Sequence, residues 1–269
     1  MDEALFHPDG DQWVPSDFSR GPWSPDALHG GPVAALVGRA VEACGSEQPM
    51  HVTRLTVELL RPVPLVPLTV TATLARPGRK VQLVDVRISS ADHDLAWGRA
   101  LRIRRLPDDS ADAVGLAAFT APPPDAGAPL GPDHGHRSPT PIQGYTAFHS
   151  HGAELRYLSG DFGRGGPSTV WVRLAVPVVP GEEPSPLQRV AAASDFGNGV
   201  SSVLDYERYL FINPDLSVHL DRPAVGEWIC LDARTTLGSP GVGLAQSVLW
   251  DVDGPLGRSL QSLLVEQRA

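Results

Sequence analysis

LTVELLRP (residues 55–62) returns 161 residues later as LSVHLDRP (216–223). Leu55, Val57, Leu59, Arg61 and Pro62 fall on Leu216, Val218, Leu220, Arg222 and Pro223. Apolar residues at alternate positions are the mark of a strand with one buried face. Two further pairs keep the same order at nearly the same offset. VAALVGRA (33–40) matches VAAASDFG (190–197) at 157, and GRALRIRRL (98–106) matches GRSLQSLLV (257–265) at 159. Three matches in register indicate duplication. A solenoid would need three or more short repeats; here there are two copies of a unit of roughly 110–130 residues, the size of a small domain.

Each copy reads the same way. In the first, DALHGGP (26–32) opens a helix, with Asp26 or His29 as cap and Pro32 in the first turn. The helix, expected near 32–44, is apolar almost all round, as buried helices are, and Gly45 is its stop. Strands then read at 52–60, 68–75, 80–90 and 95–105, with a turn at Pro77-Gly78. The second copy has strands at 153–158 and 168–176. Its helix starts near Pro186 after Ser185 and is expected to end at Gly197 and Gly199. Strands follow near 208–212, 215–221, 227–235, 242–251 and 256–266. One buried helix wrapped by a mostly following sheet is an α+β plan. This divides the chain into an N-terminal unit (1–106), a Pro/Ala/Gly-rich linker (107–141) laid over the surface or partly disordered, and a C-terminal unit (142–269).

Composition narrows the chemistry. The chain has 269 residues, 22 Lys and Arg against 31 Asp and Glu, and a net charge of −9. That balance argues against nucleic acid as a partner, because phosphate contacts need clustered basic charge. Cys44 and Cys230 are too few for a disulfide framework or a cysteine zinc site and read as reduced core thiols. The acidic start, MDEALFHPDG, is no signal peptide, and no apolar run reaches the ~20 residues of a membrane helix. A cytoplasmic protein with no membrane partner is the default expectation.

Familiar catalytic signatures are missing. There is no G-x-S-x-G, no P-loop and no G-x-G-x-x-G. His149 and His151 form a His-x-His whose rings would point one way on an extended stretch, but no carboxylate or cysteine is nearby, so no metal is expected. His134 and His136 lie in the linker. Arg102 and Arg104 share a strand face and could meet a phosphate, although a charged edge strand that discourages aggregation accounts for them more simply.

Comparing the copies singles out three polar residues. Asp195 faces Gly38, Asn213 faces Val52, and Gln261 faces Arg102. Asp195 follows VAAAS near the C-terminal, unfavourable pole of an apolar helix, a setting expected to raise its pKa toward base duty. The competing structural role is a cap for the turn Phe196-Gly197-Asn198-Gly199.

These segments resemble the acyl-CoA thioesterase II (TesB-like) family of double-hotdog thioesterases. The resemblance is carried by HGGPVAALVGRAVEA and LTVELLRPVPLVPLTVTATL in the first half. In the second it is carried by AAASDFGNG, FINPDLSVHLDRPAVGEWICLDART and GPLGRSLQSLLV. It implies an α+β double hotdog: two fused units, each a central helix wrapped by a curved antiparallel sheet. It also implies hydrolysis of an acyl-CoA thioester by direct water attack, without cofactor or metal. The family's Asp, Thr and Gln, which hold the water, correspond to Asp195, Asn213 and Gln261, with Ser262 as the ungapped alternative to Gln261. An amide thus stands where the family has a hydroxyl. Asp195 would act as general base or orient the water, and Asn213 and Gln261 would hold it. His29-Gly30-Gly31 would bind substrate, its backbone N–H groups meeting the oxyanion, and the acyl chain would occupy an apolar tunnel. The alternatives are a non-catalytic acyl-CoA binding or sensing module, or a hotdog hydratase or dehydratase. The latter uses a His with an Asp, and no His lies in the second copy's helix. A homo-oligomer, at least a dimer, is expected.

Overall fold

The computed structural model describes residues 3–91, 93–107, 110, 115, 127–138 and 144–268; most of the segment read as a linker lies outside them. The first half contributes β1 (Phe6–Asp9), β2 (Gln12–Pro15), α1 (Gly30–Ala43), β3 (Met50–Leu59), β4 (Leu68–Arg76), β5 (Val81–Ser90) and β6 (His93–Arg104). The second contributes β7 (Ala153–Ser159), β8 (Ser168–Leu174), α2 (Pro186–Ser194), α3 (Phe196–Val200), β9 (Tyr209–Ile212), β10 (Asp215–Leu220), β11 (Ile229–Ser239), β12 (Val242–Asp251) and β13 (Gly254–Gln267). All described strands join one antiparallel sheet in the order β1-β2-β4-β5-β6-β3-β10-β13-β12-β11-β8-β7, with β9 paired to the end of β13. Read outward from the β3–β10 junction, the two halves repeat the same connectivity.

The repeated octapeptides form that junction. β3 and β10 pair antiparallel, Val57 opposite Leu216, Thr56 opposite Ser217 and Leu55 opposite Val218. Thr56 and Ser217 are each other's equivalents in the repeat, and their hydroxyls lie 3.2 Å apart. A strand that pairs with its own duplicate does so about a local two-fold axis, so the halves face each other as an isologous pair would.

The helices fill the space the sheet encloses. α1 buries Val33, Ala34, Ala35, Leu36, Val37 and Val41, as its apolar girth requires. His29 is its N-cap and Pro32 lies in its first turn. α2 begins at Pro186, capped by the Ser185 hydroxyl, which accepts the Gln188 N–H at 3.1 Å. Small residues let the helices touch: a Cβ on Gly31 would lie 2.7 Å from the Ala192 carbonyl oxygen.

Several expectations are corrected here. Gly197 and Gly199 do not end the second helical region; the chain breaks at Asp195 and continues through both glycines as α3. β6 is no edge strand, since it lies between β5 and β3. Arg102 is buried and donates to the Val41 and Cys44 carbonyls and to Gln82. It therefore closes the C-terminal end of α1, where the last carbonyls lack helical partners, instead of meeting a phosphate. His149 and His151 lie on a π-helical turn (Phe148–Gly152), not an extended stretch, and among the described residues no cluster of three or more His, Cys, Asp or Glu could hold a metal. Cys230 is buried, whereas Cys44 is only partly so. Among the described residues no helix is long and apolar enough to cross a membrane.

Candidate active site

Asp195 occupies the break between α2 and α3 and makes no capping bond with its side chain. Because the halves are related by a two-fold, the C-terminal end of α2 meets the N-terminal end of α1. The approach is close: a Cβ on Gly30 would stand 2.7 Å from Asp195 Oδ2. Glycine at this position is what admits the carboxylate.

The two other residues selected by the repeat comparison reach the same group. Asn213, just before β10, donates from Nδ2 to Asp195 Oδ1 at 2.8 Å and to the Asp215 carbonyl at 3.2 Å. Gln261, on β13, donates from Nε2 to Asp195 Oδ1 at 3.1 Å and to the Asp195 carbonyl at 3.2 Å. Its Oε1 accepts the Asn198 N–H at 2.9 Å. Gln261 is buried behind the carboxylate with both ends of its amide engaged. Ser262 faces outward on the same strand, its N–H donating to Asp215.

The fourth partner comes from the first half. His29 Nδ1 lies 2.8 Å from Asp195 Oδ2, with side-chain exposures of 10% and 4%. Gly31 N–H lies 3.0 Å from the same nitrogen and also bonds the Asp195 carboxylate. A nitrogen this close to a carboxylate oxygen must carry the shared proton, so Nδ1 donates to Asp195 and the Gly31 N–H goes to the carboxylate. The ring joins a three-membered aromatic cluster, 5.1 Å from Phe148 and 5.0 Å from Phe196, which themselves stack at 5.2 Å.

This partner set reverses the expected electrostatics. Burial alone would raise the Asp195 pKa. His29 beside it and the donors Asn213 and Gly31 outweigh burial and hold the carboxyl below the ordinary aspartate range. Arguing from Asp195's own helix missed the positive N-terminal pole of α1, which belongs to the other half. The objection that no His lies in the second copy's helix fails for the same reason, because the His comes from the first.

Asp195, Asn213, His29 and Gly30 line a cavity of about 1110 Å³. Its wall is largely apolar, with Val33, Leu59, Val63, Phe162, Phe196 and Phe211 among the lining residues. Trp23 stacks on Tyr206 at 4.9 Å and meets Phe211 edge-on at 5.0 Å. Arg61, Arg164, Asp205 and Glu207 line it as exposed charges. The lining hydroxyls of Ser24 and Ser202 are taken up in local turns, at Asp26 and Leu204 respectively. The equivalent end of the first half is filled. A Cβ on Gly38 would meet the Leu187 side chain at 3.4 Å, and Glu42 there accepts from Ser185 and Gln188.

Profiles of known families match both halves: the acyl-CoA thioesterase N-terminal domain over residues 19–103 and the acyl-CoA thioesterase C-terminal domain over residues 124–265. Among solved structures, the chain is similar to a conserved hot dog fold protein from Alicyclobacillus acidocaldarius (TM-score 0.70, 18% identity, covering 98% of this chain and 96% of that one). It is also similar to the tesB protein of Mycobacterium avium subs paratuberculosis (0.64, 15%, 97% and 96%) and to an acyl-CoA thioesterase II from Mycobacterium marinum (0.61, 15%, 93% and 96%). A comparison with curated proteins returns no match. At these identities the solved structures speak to the fold, a double hotdog; the profiles, which between them cover most of the chain, speak to the family. The chain belongs to the acyl-CoA thioesterase family of thioester hydrolases.

Proposed function

We propose that the protein hydrolyses acyl-CoA thioesters to the free acid and CoA by direct attack of water, with no acyl-enzyme. The observation that carries this reading is a buried, ionised carboxylate, Asp195, set in the wall of a large apolar cavity and bonded, among the described residues, by amide, imidazole and backbone donors and by no hydroxyl or thiol. An acyl chain fits the apolar wall, and the exposed charges of the same lining suit the polar carrier. Asn213 and Gln261 hold the carboxylate from two strands, rigid supports that keep its position to within hydrogen-bond tolerance. The Asn in place of the family's Thr keeps a donor on Asp195, so the substitution alone is no argument for lost catalysis. The Gly30 N–H at the start of α1 lacks a helical acceptor and, on the cavity wall, offers a donor for the developing oxyanion, while the Gly31 N–H is taken by Asp195.

A second reading, hydration of an enoyl thioester, gains support from one observation, the His29–Asp195 contact of 2.8 Å. The two are separated by incubating the enzyme with saturated and α,β-unsaturated acyl-CoAs. Hydrolysis releases a thiol that a chromogenic reagent traps from both. Hydration removes the conjugated enoyl absorbance without thiol release. Saturable binding with neither signal would mark an acyl-CoA binding module.

A further inference from the structure

We propose that His29 accepts the proton of the hydrolytic water through Nε2, and that Asp195 is the positioning residue that holds the imidazole for this task. The inference rests on the thioester-hydrolysis reading above. A carboxylate offers about four lone-pair sites. Those of Asp195 face Asn213 Nδ2 and Gln261 Nε2 on Oδ1, His29 Nδ1 on Oδ2, and the Gly31 N–H. A water attacking from the cavity would have to displace one of these donors to give its proton to Asp195.

His29 is placed for the opposite role. With its Nδ1 proton given to Asp195, its tautomer leaves Nε2 as a lone-pair acceptor on the far side of the ring. Nε2 makes no hydrogen bond to another described residue, and His29 lines the cavity. The stacked pair Phe148 and Phe196 packs against the ring and restrains it. A carboxylate that fixes the tautomer and stabilises the imidazolium, while the other nitrogen moves the proton, is the division of labour seen in histidine–aspartate pairs of hydrolases.

The step balances. Water oxygen bonds to the thioester carbonyl carbon as its proton passes to His29 Nε2, and the carbonyl π electrons move to oxygen. Collapse of the tetrahedral species breaks the C–S bond. The departing thiolate takes the proton back from His29, leaving the free acid, CoA thiol and neutral imidazole.

Because His29 occupies the N-cap position of α1, the test uses two residue types favoured at that position, Asn and Gly. Thiol release from an acyl-CoA that the wild type turns over is compared for His29→Asn, His29→Gly and Asp195→Asn. Imidazole is added to each. Both His29 variants should lose about 10²–10⁴-fold in kcat. His29→Gly vacates a ring-sized space beside the stacked Phe148–Phe196 pair and next to Asp195, so imidazole should restore it saturably by tenfold or more, while Asp195→Asn gains nothing. A purely structural role for His29 would not give rescue. If His29→Asn stays within about threefold of wild type, or if folded His29→Gly is not rescued, the proposal is overturned while hydrolysis stands. If the wild type itself releases no thiol from any acyl-CoA, the hydrolysis reading fails first.

Discussion

Gly30 shows how tightly the site is drawn at the scale of single residues. A methyl group there would lie 2.7 Å from Asp195 Oδ2 and 2.8 Å from Oδ1. Gly30→Ala must therefore push the carboxylate off its donors. Overpacking of this kind costs about 1–3 kcal/mol, which for a chain of this size lowers Tm by a few degrees. Misplacing a reacting group by ~1 Å costs up to ~10²-fold in rate. We expect kcat to fall at least ~10-fold with KM little changed; a Gly30→Ala enzyme with wild-type kcat would deny the carboxylate its role. The glycines of HGG were legible as a place of close backbone approach. What approaches them, Asp195 and the Ala192 carbonyl, was not, because the contact joins residues more than 160 positions apart.

At the scale of elements, the strands and the two main helices were legible because alternation, proline and glycine mark them locally. The break at Asp195 was not, since Gly197 and Gly199 read as a stop while tertiary packing lets α3 run through them. Nor was the π-helical turn that brings Phe148 against His29. Arg102 was misread because its neighbours in the sheet cannot be read from its own strand. One element offers a separate test. Glu154 on β7 accepts from Arg137 and Arg156 on Oε1 and from Arg173 on Oε2, at 2.6, 3.0 and 2.6 Å. Burial would raise its pKa, but the three guanidinium groups outweigh it and bring it down to about 2. A depressed carboxylate adds stability above its unfolded pKa of about 4.3, and that contribution is lost as pH falls toward the folded value. Glu154→Gln should cost about 2 kcal/mol at pH 7, on the scale of hydrogen bonds to charged groups. The difference from wild type should shrink between about pH 4 and pH 2 in denaturant melts. A penalty independent of pH would exclude the charge as its cause.

At the scale of the whole molecule, duplication explains both the sheet and the single site. Each half supplies what the other lacks: α1 gives His29 and a positive helix end, and the second half gives Asp195, Asn213 and Gln261. The repeat named the three polar residues of one half, while the two-fold that adds the fourth had to be seen in space. The outer face of β12 and β13 leaves Val242, Leu244, Leu260 and Leu264 exposed, with Val242 opposite Leu264 across the pair. We expect this face to mediate self-association, so that light scattering at micromolar concentration gives a mass above 28.6 kDa and Leu244→Glu lowers it; a monomer mass for the wild type would refute this. The central claim is that one composite site, built on Asp195, performs the hydrolysis. Its most direct test is thiol release from acyl-CoA by Asp195→Asn, with and without Gly38→Asp in the first half. An asparagine there offers His29 a donor in place of an acceptor and so favours the wrong tautomer, a loss of about 10²–10⁴ in kcat with substrate affinity nearly intact. Gly38→Asp, placed against Leu187 without an Asn or Gln partner, should restore nothing. Wild-type turnover by Asp195→Asn, or recovery in the double variant, would contradict the account.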